Sequence, residues 1–230
     1  MTEYRVLDLF AGLGGFSAAF DESDRWDVTT VEIEERFDPD IQADVFDLRP
    51  SDFDRDFDVV LASPPCELFS FAGNHDKWNH DSKQPTHEKW ADHTALVHHA
   101  LGLIKGLAPE YWFLENPNGR MNWVLDRDPE DVVTYCQYGE SYFKQTFLWG
   151  EHPPMEYRSC SHMDDCHEAT PQRNGESSSA THALPDTYAE RSLVPEKLSS
   201  SIRDACETAL DGDVPLQTTA ADWIAEEGES

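Results

Sequence analysis

Three apolar runs in this chain stop where a strand cannot continue, and each stop carries polar chemistry. YRVLDL (4–9) gives way to a glycine-rich turn, FAGLGG. FDVVLAS (57–63) runs into Pro64-Pro65-Cys66, and YWFLEN (111–116) runs into Pro117. Runs of this length and composition read as buried strands, and the glycines and prolines end them. Further strands are expected at WDVTTVEI (26–33) and IQADVFDL (41–48), and an antiparallel pair at DVVTYCQYG and KQTFLWG. Helical spacing occupies FSAAFDES (16–23) and Thr86 to Leu107, where Pro109 stops it. Strands alternating with helices imply an α/β fold, a right-handed doubly wound sheet with its functional groups at the carboxyl ends of the strands. The glycine turn, Cys66 and Glu115-Asn116 then share one edge.

The texture changes after residue 150. The stretch to 184 is rich in Pro, Ser, His and Cys and shows little strand or helix signal, whereas VPEKLSSSIRDACETAL (194–210) reads as a helix opening after Pro195. The expected organisation is a sheet domain over 1–150, a small Cys/His-rich insert over 151–190, a C-terminal helix over 191–210 that packs back on the sheet, and an acidic tail over 211–230. At 230 residues and 39% hydrophobic content the chain can build one sizeable core. It has no apolar run of membrane-spanning length, no leader pattern and no regular cysteine framework, so a cytoplasmic protein is expected. Acidic residues outnumber basic ones 46 to 17, giving a net charge of −29 spread along the chain. With 11% aromatic residues this suits a folded, salt-adapted (halophilic) protein better than a disordered one. A nucleic-acid partner would ordinarily be disfavoured, but at molar salt the Debye length falls to about 3 Å and long-range repulsion fades.

Each break has two readings when taken alone. Gly12, Gly14 and Gly15 suit a ligand approached by backbone, or serve only helix–sheet packing. Glu32, ending the second strand, could hold ribose hydroxyls, and Asp44 could meet an adenine amino group; both could equally be surface acids in an acid-rich chain. Together with the turn they favour an adenosine-containing cofactor. Cys66 on a proline-stiffened loop is a candidate nucleophile, although a buried apolar thiol is the commoner fate of a lone cysteine. Glu115, with one apolar side, could hold a raised pKa and donate a proton; capping a following helix is the alternative.

In this order and spacing, DLFAGLGGF, VEI, ADVFDL, SPPCELFS and ENP resemble the cytosine-C5 DNA methyltransferases over about residues 4–150. The resemblance implies a Rossmann-like, mostly parallel sheet of the class I S-adenosylmethionine-dependent methyltransferases. It makes Cys66 the nucleophile that adds to cytosine C6, and Glu115 the group that binds the exocyclic amine and protonates N3. Phe10 would stack on the adenine, Glu32 would hold the ribose and Asp44 the adenine amine. Gly12, Leu13, Gly14, Gly15, Ile33, Val45 and Pro64 would complete the cofactor wall. Pro65, Ser70, Asn116, Arg120 and Lys144 are expected on the substrate side. The implied partner is double-stranded DNA with its target cytosine flipped out, since a stacked base cannot reach the thiol. A monomer is expected, with restriction–modification or genome marking as its use. The short form, with ENPNGRM, VTYCQYG and RSLVPEKL, looks like the compact methyltransferases of phage and mobile genomes.

The chain departs from the family in three places. Glu67 stands where glutamine is usual, and ENV is ENP. The Gln-x-Arg-x-Arg strand is replaced by KQTFLWG, leaving Lys144, Arg120 or Arg173 to supply the missing cation. An RNA (tRNA) cytosine substrate and a non-catalytic nucleic-acid-binding relic are therefore the rival readings. Residues 74–90 look like a mobile loop over the flipped base. Cys160, His162, Cys166 and His167 lie within eight residues. Their spacing matches no common zinc finger, which favours an unmetallated loop. The other reading is zinc on Cys160, Cys166 and His167, with Cys136 as an extra ligand.

Overall fold

Val6, Leu7 and Leu9 have no solvent-exposed surface, so strand β1 (Tyr4–Leu9) is covered on both faces, as its apolar run requires. In this computed structural model, residues 3–70, 77–161, 164–167, 170–171, 177–178 and 187–212 are described. His162, Arg173, part of the 74–90 loop, much of the insert and nearly all of the acidic tail lie outside them.

β1 pairs in parallel with β2 (Trp26–Glu32) on one side and β4 (Val59–Ala62) on the other. β3 (Ile41–Gln42) extends the β2 edge, and β5 (Tyr111–Pro117) runs parallel to β4. β7 (Gln145–Trp149) then pairs antiparallel with both β5 and β6 (Asp131–Thr134). The order is β3-β2-β1-β4-β5-β7-β6, a seven-stranded, mostly parallel sheet. The chain builds outward from β1 to β3 and then restarts at β4 on the other side. The crevice at the carboxyl ends of β1 and β4 is thus a topological switch point, where such sheets bind ligands. Ser63 N donates to Leu9 O (3.2 Å), which brings the glycine turn and the Pro-Pro-Cys loop side by side.

Alternation along the strands divides the core in two. Val6, Val59, Leu61 and Phe113 face Phe16, Phe20 and the stripe Leu198, Ile202 and Cys206 of α5 (Glu196–Leu210), with α1 (Ala18–Asp21) on the same side. Leu7, Leu9, Val60 and Leu114 face Val97, Ala100, Leu103 and Ile104 of α2 (Glu88–Leu107). The C-terminal helix therefore belongs to the main core. No helix among the described residues is long and apolar enough to cross a membrane.

Two expected strands are shorter than their apolar pattern. The third ends at Gln42 because Asp44 Oδ1 accepts from Phe46 N (3.0 Å) and caps a 3-10 turn, Val45–Asp47. DVVTYCQYG is a strand only to Thr134; a 3-10 turn, Tyr135–Tyr138, follows and ends at Gly139 with φ of +102°. The expected helix at 16–23 is the four-residue α1. Met121–Leu125 forms α3, the helix after Pro117 that the alternative reading of Glu115 assumed, and Tyr188–Ser192 forms α4, a short helix that the apolar spacing did not predict. The signal for α4 was present as Thr187-x-x-Glu190, a capping box in which Thr187 Oγ1 accepts from Glu190 N (3.2 Å).

Candidate active site

A cavity of about 470 Å³ opens at the carboxyl ends of β1, β2, β4 and β5. One end is walled by Phe10, Gly12, Leu13, Gly15, Glu32, Ile33, Asp44, Val45 and Phe46, the other by Ser63 to Glu67, Glu115, Pro117 and Lys144. Asp92, His93 and Leu96 of α2 and Ser192 to Val194 ahead of α5 complete it. Gly14 does not line this cavity, but lies beside it at a neighbouring depression.

The first end is pre-shaped by backbone. Phe10 sits at φ +63°, a left-handed conformation unusual for a bulky residue, with Gly12 at +52° and Gly14 at +75° behind it. Glu32 is fixed by three backbone donors: Gly12 N to Oε2 (3.0 Å), and Ile33 N and Glu34 N to Oε1 (2.9 and 3.1 Å). Leu13, Ile33 and Phe46 are 51%, 56% and 39% exposed, and all three face this end. Gly15 has a second duty, because a Cβ there would lie 2.5 Å from Leu193 Cδ2 and 3.0 Å from Val194 N and O.

Asp8, fully buried, also lines the cavity. Ser17 Oγ donates to its Oδ2 (2.6 Å), while Oδ1 has no hydrogen-bond partner among the described residues. Burial pushes its carboxyl up to about 7, against the lowering effect of Ser17. Its one signal in the sequence was an acid inside an apolar strand run.

The second end gathers the reactive side chains. Cys66 is half-buried on a loop held from both sides. Asn116 Nδ2 donates to Pro64 O (2.9 Å), and the Cys66 carbonyl accepts from Phe69 N and Ser70 N (3.0 and 2.9 Å). Glu115, on β5, is buried and accepts from Tyr135 Oη (3.1 Å). Burial raises its carboxyl, partly offset by Lys144 and Tyr135. Lys144 precedes β7; its Nζ donates to Arg191 O (3.0 Å) and lies 4.2 Å from the centre of the Tyr135 ring. Burial lowers the ammonium, while Glu115 and then Cys66 act in the opposite sense. Lys144 thus faces both the carboxyl and the thiol.

Asn116, Ser70 and Arg120 do not line the cavity. Asn116 is fully buried as the tie to the loop, and Ser70 bridges to Gly119. Arg120 is 2% exposed; its N donates to Phe69 O (2.8 Å), and its guanidinium lies near His80 and over Trp123. All three brace the loop from behind. Tyr135 and His93 join the site without having been predicted; Tyr135 had no local signal beyond an aromatic cluster.

The sheet order and a ligand cavity at its switch point define a Rossmann-like fold of the class I methyltransferases. The family model of the C-5 cytosine-specific DNA methylases matches residues 4–123. A protein of Frog virus 3 (isolate Goorha), named "Probable DNA (cytosine-5)-methyltransferase", is 32% identical over 190 residues, 78% of this chain and 85% of that one. The type II methyltransferase M.DdeI of Desulfomicrobium norvegicum is 30% identical over 127 residues, 50% of this chain and 28% of its own. Among solved structures, the methyltransferase EhMeth of Entamoeba histolytica aligns with a TM-score of 0.47 at 12% identity, over 74% of this chain and 59% of that one. The chain belongs to the C-5 cytosine-specific DNA methylase family.

Proposed function

We propose that the protein methylates C5 of cytosine in DNA, with S-adenosylmethionine as donor and Cys66 as a transient covalent nucleophile. The supporting observation is the convergence of Cys66, Glu115 and Lys144 on a cavity that continues without a break to Phe10, Glu32 and Asp44. The first end suits the cofactor. Exposed apolar side chains offer faces to an adenine, Glu32 presents a fixed carboxylate to a ribose, and the unpartnered Asp8 oxygen suits a positively charged group. When bound, the cofactor supplies an electrophilic methyl group.

The chain's own residues do the rest. The Cys66 thiolate adds to C6, which breaks the ring's aromaticity and pushes electrons toward C5. Glu115, whose carboxyl burial pushes upward, hydrogen-bonds the base edge and in its protonated form gives its proton to N3 as negative charge builds there. Lys144, facing Glu115 and Cys66, would supply the cation that the missing arginine gives in the family, and in its charged form would steady the thiolate and the negative charge that builds on the ring. Once C5 carries the methyl, loss of the C5 proton to a base expels Cys66 as its thiolate, and N3 returns its proton to Glu115 as the aromatic ring is restored. The stiff Pro64-Pro65 loop, pinned by Asn116, holds the sulfur in line for attack. The same geometry would serve a flipped cytosine from duplex DNA; a restriction–modification role is in keeping with the type II methyltransferase M.DdeI.

Duplex DNA containing 5-fluorocytosine tests this, because fluorine cannot leave C5 as a proton does. Wild-type protein with cofactor should form an adduct that survives denaturation, and Cys66→Ser should form none. Labelled methyl transfer to duplex DNA and tRNA, compared in molar salt, separates the substrates. Transfer to tRNA alone would refute DNA as substrate, and absence of an adduct on either would favour the non-catalytic relic.

A further inference from the structure

Cys136, Cys160, Cys166 and His167 come from three stretches of chain, yet their ligand atoms all lie within 4.8 Å of one another. None of the four lines the cavity. Cys136 sits in the 3-10 turn Tyr135–Tyr138. Cys160 is placed by a segment running beside the edge strand β6: Thr134 N donates to Arg158 O (3.2 Å), and Cys160 N to Thr134 Oγ1 (3.0 Å). Cys166 and His167 follow a tight turn in which Ser161 N donates to Asp164 Oδ2 (2.6 Å) and Asp164 N to Ser161 O (3.0 Å).

The separations decide what the cluster suits. Cys136 Sγ lies 3.2 Å from Cys160 Sγ and 3.8 Å from Cys166 Sγ; His167 Nδ1 lies 3.5 Å from Cys166 Sγ and 4.0 Å from Cys160 Sγ. A tetrahedron built on zinc–sulfur bonds of about 2.3 Å has sulfur–sulfur edges of about 3.8 Å. The four atoms are therefore already near the corners of such a figure. A disulfide between Cys136 and Cys160 would draw their sulfurs to about 2.05 Å and leave Cys166 and His167 with no reason to converge.

We propose that Cys136, Cys160, Cys166 and His167 hold one zinc ion in a closed, structural site. Three thiolates and an imidazole are soft and borderline donors that favour zinc over magnesium or calcium, and four protein ligands leave no open position for a reacting water. Binding converts three thiols to thiolates and releases three protons. The need is physical: the stretch from 150 to 184 is too polar to build a core of its own, and the ion would staple it to the sheet edge. The staple also reaches the active site. Residue 135, next to ligand Cys136, is the tyrosine that donates to Glu115, so the zinc fixes the turn that positions the acid.

The test is metal content, which needs no methyl transfer. Protein purified under reducing conditions is dialysed against a chelator weak enough to strip only ions held by surface carboxylates, then analysed by mass spectrometry. About one equivalent of zinc is expected, retained in Cys66→Ser and lost in Cys136→Ser and Cys160→Ser. If those variants fail to fold, cobalt titrated into metal-free wild-type protein answers the same question, through the intense visible bands of tetrahedral cobalt-thiolate. Less than about 0.2 equivalents with no cobalt spectrum overturns the proposal. So does one equivalent of iron, a Cys136–Cys160 disulfide in reduced cells, or full zinc content in a folded Cys136→Ser, Cys160→Ser double variant.

Discussion

Burial pushes two acids upward, and their neighbours set how far that push is offset. Glu115 has Tyr135 and Lys144 to moderate the effect of burial, whereas Asp8 has Ser17 alone. Removing the Tyr135 hydroxyl takes away a donor that favours the ionised carboxylate. Tyr135→Phe should thus raise the apparent pKa of Glu115, moving the alkaline fall of kcat upward while lowering kcat about tenfold. An unmoved profile would reduce Tyr135 to packing. Asp8 is a stability group when no cofactor is bound. Its folded pKa of about 7 lies above the ordinary 3.8, so the folded state binds the proton more tightly than the unfolded chain does. Stability should fall as pH rises from about 4 to about 7, by at most about 4 kcal/mol, and then level off. Asp8→Asn keeps an acceptor for Ser17. It should flatten that slope and raise the melting point at pH 8; thermal melts of both proteins across this pH range check it.

Among elements, the approach to α5 matters most. Ser199 Oγ donates to Phe16 O (2.7 Å) and accepts from Ala19 N (3.1 Å), tying the last helix to the chain leaving the glycine turn. Leu193 and Val194 lie against Gly15 and also line the cavity, so packing and cofactor affinity share one contact. Gly15→Ala should cost about 1–3 kcal/mol through forced displacement of that segment, and weaken S-adenosylmethionine binding in the same variant. Gly102→Ala, in α2 with open space around it, should instead gain about 0.5–1 kcal/mol and leave binding unchanged. Calorimetric melts and cofactor titrations distinguish the two; equal effects would mean that Gly15 is not a packing constraint.

For the molecule as a whole, the net charge of −29 outweighs any single ion pair. Like charges on one compact body repel, and added salt screens them, with a Debye length of about 10 Å at 0.1 M and about 3 Å at 1 M. The melting temperature should therefore rise substantially between 0.1 M and 3 M potassium chloride, and methyl transfer should survive at the upper end. A melting temperature that is flat or falling across this range would sink the salt-adapted reading. The few organised cations are absorbed internally: Arg25 alone pairs with Glu3, Glu207 and Asp211, joining β2 to the end of α5.

The sequence by itself determined the buried strands and the chemistry at their ends. An apolar run and the proline or glycine that stops it are neighbours in the chain, and a strand's carboxyl end is where its run stops. Gly12, Glu32, Cys66 and Glu115 were legible for that reason, whereas Asp44 reaches the cavity as the cap of a 3-10 turn after a strand that had already ended at Gln42. Tertiary structure decided everything that depends on distant residues meeting. It set the sheet order, and it turned Arg120 toward His80 and Trp123 instead of into the cavity. It brought Tyr135 to Glu115, and Cys136 to a cysteine 30 residues away. Long-range contacts follow from how whole faces bury against each other, and no local pattern encodes which side chains that packing brings together.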